Sequence, residues 1–134
     1  MSKSISEMVE DFHAATGAPI NKKLTEDELK LRLRLISEEW EEFCLELAGI
    51  DLGDPNEAVI KEACDLVYVI VGTCVALGYE FDEAFRRVHA SNMSKLGPDG
   101  RPVKRPDGKV IKGPNYKLPD LTACLPTNTI SNEE

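Results

Sequence analysis

Two long aliphatic stretches, Leu29 to Leu47 and Ala58 to Leu77, constrain the fold of this chain more than any other feature. Both are too long for ordinary strands. In the first, Leu29, Leu33, Ile36, Trp40, Phe43 and Leu47 recur at three- and four-residue intervals, the period of a helix that buries one face. Thr25 followed by Glu28 is a capping box that starts this helix, and Gly49 ends it. By its spacing Trp40 belongs to the core rather than to a base-stacking surface. A second face begins with Leu31 and Leu35 and continues as Glu38, Glu42 and Glu46, so one side of the helix turns from apolar to acidic. The second stretch is apolar nearly all round from Leu66 to Leu77, which predicts a central helix. Asp54 is its expected N-cap, Pro55 suits its first position, Glu57 completes the box and Gly78 stops it.

Two shorter helices flank these. Ile5 to Thr16 carries Ile5, Met8, Val9 and Phe12 on one face and ends at Gly17. The other is expected from about Asp82 to Leu96, where a stripe of Phe81, Phe85 and Val88 continues into the polar Asn92 and Lys95 before Gly97-Pro98. The pattern predicts an all-α fold. Residues 1–97 read as the helical catalytic core and 98–134 as a basic, Pro/Gly-rich tail. Pro98-Asp99-Gly100 and Pro106-Asp107-Gly108 are turn sequences, and Val103 and Val110-Ile111 flank the second, which predicts a short hairpin. Residues from about Thr122 are expected to be disordered or to lie along a partner subunit.

The net charge of −8 argues against nucleic acid as the main partner, because a phosphate backbone needs a basic surface. It does not exclude a small anion bound through a metal. The charge is uneven: Lys95 to Lys117 holds seven Lys and Arg against Asp99 and Asp107, a local +5 that leaves −13 elsewhere. An acidic body with a basic tail suits a metal and then a polyphosphate, although charge runs are more often plain solvated surface. The four cysteines form no Cys-x-x-Cys pair, and three lie in apolar helical stretches, so reduced thiols are expected. No signal peptide is expected, and the longest apolar run, Leu66 to Leu77, falls short of the roughly 20 residues that span a bilayer. These features predict a cytoplasmic protein with no membrane partner.

Chemistry concentrates in two acidic pairs. Glu39 and Glu42 stand at i and i+3 on the second helix, and Glu62 and Asp65 at i and i+3 on the third. The short Gly49–Asp54 link favours antiparallel packing, which lets the pairs face each other. Converging carboxylates repel and are costly to bury, and a hard divalent cation relieves both penalties. Mg²⁺ or Mn²⁺ suits oxygen ligands. His13 and His89 lie away from these pairs and no Glu-x-x-His occurs, which speaks against di-iron and zinc sites. Taken alone, Glu-x-x-Glu is commonly surface decoration, and a non-catalytic helical assembly protein with salt-bridged carboxylates is the competing reading.

Glu38-Glu39-x-x-Glu42 followed after nineteen residues by Glu62-x-x-Asp65 resembles the metal motif of the MazG-like, all-α NTP pyrophosphohydrolases. His89-Ala90-Ser91-Asn92-Met93-Ser94-Lys95 is similar to that superfamily's Asn-x-x-Lys element. Lys109-Val110-Ile111-Lys112-Gly113-Pro114-Asn115-Tyr116 resembles the tail of phage and bacterial members. The resemblance spans about residues 25–121. It implies a four-helix-bundle core, a homotetramer built as a dimer of dimers (a homodimer is the alternative), and hydrolysis of a nucleoside triphosphate to monophosphate and pyrophosphate. It implies Glu39, Glu42, Glu62 and Asp65 as ligands of Mg²⁺ or Mn²⁺, two or more ions per site, with Glu38 a further ligand or the group that takes the water's proton. Glu38 and Glu39 are thus the catalytic candidates, and Asn92, Lys95, Lys109, Lys112 and Tyr116 the substrate-binding ones. The base pocket is expected between the first two helices. The tail inclines the reading toward a purine such as dGTP or GTP; pyrimidine deoxynucleotides, nucleoside diphosphates and phosphoribosyl-ATP are the alternatives within the superfamily.

Overall fold

Each helix of the first part of the chain starts where a side chain can take up free backbone donors. In the computed structural model, which describes residues 2–52 and 56–127, these helices are α1 (Ile5–Thr16), α2 (Glu26–Ala48) and α3 (Glu57–Leu77). Ser4 and Glu7 form a reciprocal capping box on α1, and Thr25 and Glu28 form one on α2, with bonds of 3.1 and 2.9 Å. On α3 the cap is Asn56, whose side chain accepts from the Ala58 N–H at 2.8 Å. The expected N-cap Asp54 and first residue Pro55 lie outside the described residues. Gly17 and Gly78 end α1 and α3 in the left-handed conformation, at φ 79° and 88°, which a side chain would strain.

The described chain forms two compact units, one built on residues 2–79 and the other on Glu80–Leu125. In the first, α3 is central, as its all-round apolar sequence predicts: it packs against both α1 and α2. Val71, Gly72, Val75 and Ala76 are buried. A groove runs between α1 and α3, past Ile5, Met8, Val67 and Tyr68. The last carbonyls of α3 are satisfied from the α1–α2 loop, where Asn21 N–H donates to Val75 O at 2.9 Å and Lys22 N–H to Ala76 O at 3.0 Å.

The face that α2 turns to α3 differs from the expected stripe. Arg32 is buried and donates to Thr73 Oγ1 at 3.0 Å and Val69 O at 2.8 Å. Leu35, Ile36, Glu39 and Phe43, at helical spacing from it, are half-buried. Leu29, Leu33, Trp40 and Leu47 stay exposed, Trp40 by 57%. The core role expected for Trp40 is thus corrected: the interface is organised around the guanidinium, which rotates the leucine stripe outward. Gly72 makes room for that group, since a Cβ there would lie 2.6 Å from Arg32 Nη2 and 2.9 Å from His13 Nε2. Buried His13 in turn holds the α1–α2 loop, its Nδ1 bonding to Pro19 O at 2.8 Å. Two buried polar groups thus meet at Gly72: Arg32 of α2, bonded to α3, and His13 of α1, bonded to the loop.

The second unit contains α4 (Phe81–Met93), the strands β1 (Val103–Lys104) and β2 (Val110–Ile111), and a 3₁₀ turn at Thr122–Cys124. Helix α4 stops short of the expected Leu96. The Ser94 hydroxyl turns back to Ser91 O at 2.6 Å and accepts from Lys117 N–H at 2.9 Å, drawing the tail onto the helix end. Ser91 Oγ donates to Lys117 O at 2.7 Å and Arg87 to Asp120 O at 2.9 Å. Glu80 N–H donates to Cys124 O at 3.0 Å, and Cys124 is buried. Residues 122–124 are therefore packed structure rather than the disordered end expected from Thr122; 128–134 lie outside the described residues. The hairpin forms as predicted, antiparallel, with Val103 opposite Ile111 and Lys104 opposite Val110. The protein is all-α; the described residues hold four α-helices and a small two-stranded tail, and among them no helix is long and apolar enough to cross a membrane.

Candidate metal centre

The register that pairs Arg32 with Val69 and Thr73 runs antiparallel, so about two to three turns further along α2 the chain meets the N-terminal half of α3. Three carboxylates converge there. Oxygens of Glu39, Glu42 and Glu62 all lie within 4.8 Å of one another. Glu39 and Glu62 are half-buried, and Glu42 is exposed at the mouth. Glu39 Oε2 and Glu62 Oε1 are shielded from solvent and have no hydrogen-bond partner. Two such oxygens on like-charged groups are the least comfortable atoms in the unit.

The electrostatics follow from this crowding. Burial pushes the Glu39 carboxyl above its ordinary range, and Glu42, Asp65 and Glu62 push it further, with Lys61 opposing. Burial likewise raises Glu62; Lys61 pulls it down, and Glu42 and Asp65 raise it. Lys61 is the only cation contacting these carboxylates among the described residues. Its ammonium bonds Asp65 at 2.7 Å and lies 3.7 Å from Glu62 Oε1, outside hydrogen-bond distance. Asp65 holds the Lys61 proton more tightly in return.

Of the sequence-selected residues, Glu39, Glu42 and Glu62 are gathered into the trio. Asp65 sits one turn beyond Glu62 and is engaged by Lys61, and Glu38 is exposed and outside the trio. Asn92 is exposed near the end of α4, and Lys95 lies in the turn after it. Lys109 and Lys112 flank β2, and Tyr116 follows, 4.9 Å from the Lys112 ammonium that stands over its ring. The sequence reading missed Lys61, although its i, i+4 spacing to Asp65 was there to be read, and it missed buried Arg32, whose charge placed it by default at the surface.

The donor set tests well against a hard divalent cation. It offers carboxylate oxygens alone, two of them buried and unpartnered, within a span one ion can bridge. Fold and site together define an all-α protein with an acidic centre between two antiparallel helices. The family model described as phosphoribosyl-ATP pyrophosphohydrolase matches residues 4–92, and the chain belongs to that family. The match takes in α1 to α3 with Glu38, Glu39, Glu42, Glu62 and Asp65, and α4 as far as Asn92. The family is all-α and related to the MazG-like pyrophosphatases; it hydrolyses a pyrophosphate bond of a nucleotide derivative and generally depends on divalent metal, which supports a pyrophosphohydrolase activity here. No curated protein matches the chain.

Proposed function

We propose that this protein hydrolyses a nucleoside triphosphate to the monophosphate and pyrophosphate, with Mg²⁺ or Mn²⁺ held by Glu39, Glu42, Glu62 and Asp65. The observation that carries this reading is the pair of buried, unpartnered oxygens of Glu39 and Glu62 facing Glu42 within 4.8 Å. A salt-bridged assembly protein has no use for them, since Lys61 engages Asp65 and leaves both without a hydrogen bond. Bound there, the metal would lower the pKa of a water and neutralise charge on phosphate oxygens.

The chain's own residues divide the remaining work. Glu39 and Glu62, set into neighbouring helices, fix the geometry of the oxygen donors. Lys61 steadies Asp65 and moderates the local charge. Glu38, exposed one residue before Glu39, is the proposed acceptor of the water's proton. Asn92, Lys95, Lys109, Lys112 and Tyr116 are proposed to contact phosphate or sugar, as the resemblance of those segments suggests.

For the substrate, a purine triphosphate such as dGTP or GTP is the first choice. The family match favours a second, phosphoribosyl-ATP, which also carries a purine and yields pyrophosphate. A homotetramer, with a homodimer as alternative, is the proposed assembly, supported by the leucine stripe that α2 leaves outside. A panel of purine and pyrimidine triphosphates, nucleoside diphosphates and phosphoribosyl-ATP, with Mg²⁺ or Mn²⁺ and a chelator control, tests the reading. Pyrophosphate release that stops with chelator is expected; orthophosphate as sole product, or turnover indifferent to chelator, overturns it.

A further inference from the structure

We infer that the second unit carries its own oligophosphate-binding site, a concavity between the turn after α4 and the β1–β2 hairpin, with Arg105 as a phosphate-binding residue beside Lys95, Lys109 and Lys112. The concavity has a volume of about 440 Å³ and is lined by these four cations and by Val110 and Ile111. No acid lines it. Lys95, Lys109 and Lys112 form no ion pair among the described residues, and Arg105 is gripped through two bonds, 3.1 and 2.6 Å, by Asp107 in the hairpin turn. Three ammonium groups and a guanidinium shared with Asp107 leave the hollow net positive, and an anion is what relieves the repulsion among them.

The backbone brings the cations together. Gly113 N–H donates to Lys95 O at 2.9 Å, an approach only glycine allows, since a Cβ there would lie 2.5 Å from that oxygen. This contact sets Lys112 beside Lys95. Arg105 N–H donates to Lys109 O at 2.8 Å across the turn, and Gly108, at φ 91°, closes it.

The lining also states the ligand class. Lysines bind phosphate as point charges, and an arginine held by a carboxylate presents its remaining donors in a fixed direction. Four cations exceed what one phosphate needs and suit a chain of two or three. Val110 and Ile111 offer no hydrogen-bonding side chain to read a base. The ligand is therefore the oligophosphate of a nucleotide or free pyrophosphate, not a nucleobase. Every lining residue lies past residue 92, where the family match ends. The biological identity of the ligand rests on the pyrophosphohydrolase reading; binding itself does not.

Calorimetric titration of the full chain with tripolyphosphate, pyrophosphate, dGTP and dGMP, in chelator so that no turnover occurs, tests the inference. The first three should bind and dGMP should bind at least about tenfold more weakly, with affinity falling as salt rises. Lys109→Ala/Lys112→Ala and, separately, Arg105→Gln should each weaken tripolyphosphate at least about tenfold, the scale of a lost charge-assisted contact. Glu39→Gln should leave that affinity unchanged, because the carboxylate trio takes no part. Tripolyphosphate that fails to bind, binds equally to the tail variants, or is lost in Glu39→Gln overturns the inference; loss of turnover in Glu39→Gln with chelator-independent binding intact bears on the metal centre alone.

Discussion

Glu39 is where the charge and the chemistry of this protein meet. Its carboxyl is driven up by burial and by three neighbouring acids, so the uncharged isostere should suit the folded chain better than the native side chain does. Glu39→Gln is expected to unfold at the same temperature as the native protein or a higher one in chelator. Pyrophosphate release with Mg²⁺ should nevertheless fall by about 100-fold or more, as for loss of a metal-centre group. Asp65→Asn should lose activity similarly while freeing Lys61. Full turnover in both variants, scored by pyrophosphate release, would remove the acidic centre from the mechanism. Gly72 makes the opposite kind of prediction. Adding a methyl group there drives into Arg32 Nη2 at 2.6 Å and His13 Nε2 at 2.9 Å, and both are held by other bonds. Gly72→Ala should cost about 1–3 kcal/mol in a denaturant titration, the usual scale of overpacking. A neutral result would mean that the Arg32 side chain has room to withdraw.

Elements were legible in the sequence where one local signal decides them. The α2 start follows from its capping box, the end of α1 from Gly17, and the hairpin from Pro106-Asp107-Gly108 between apolar residues. Thr25→Ala should therefore cost about 1 kcal/mol, read from the thermal transition, because it opens one half of the α2 box. What long-range contacts decide was not legible. The face α2 buries is set by Arg32 bonding Val69 and Thr73 about 40 residues away, and no periodicity count weighs a buried guanidinium above a leucine stripe. That is why Trp40 was expected inside and is found outside. The α4 end escaped for the same reason: Ser94 bonds Lys117, which 23 residues of sequence separate from it. The acidic trio was readable because Glu39/Glu42 and Glu62/Asp65 are local i, i+3 patterns and only antiparallel packing was needed to bring Glu62 to the first pair. That Asp65 would be drawn to Lys61 rather than into the trio depends on side-chain geometry that spacing does not fix.

At the scale of the whole molecule, two sets of carboxylates pull stability in opposite directions. Glu28, Glu83, Asp107 and Asp120 are lowered, chiefly by side-chain hydrogen bonds from Lys22, Arg87 and Arg105 and, for Asp120, by the Thr122 N–H. Their stabilisation is present above the ordinary values, 4.5 for Glu and 3.8 for Asp, and is lost as pH falls through the lowered ones. Glu39 and Glu62 are raised. Between the ordinary 4.5 and their raised values the folded chain binds more protons than the unfolded one, so stability declines as pH rises through that interval and stays reduced above it. In chelator the melting temperature should therefore peak on the acidic side and decline toward neutral pH. A divalent cation binds the deprotonated trio and stabilises by mass action only where those groups are ionised. Mn²⁺ should thus raise the neutral side of the profile and leave the acidic side unchanged, and Glu39→Gln should flatten the decline while shrinking the Mn²⁺ effect. Melting curves from about pH 4 to 8, with and without Mn²⁺, read both at once. Parallel profiles in the two conditions would mean that the carboxylates ionise without an ion among them, and the shielded oxygens of Glu39 and Glu62 would then need another partner.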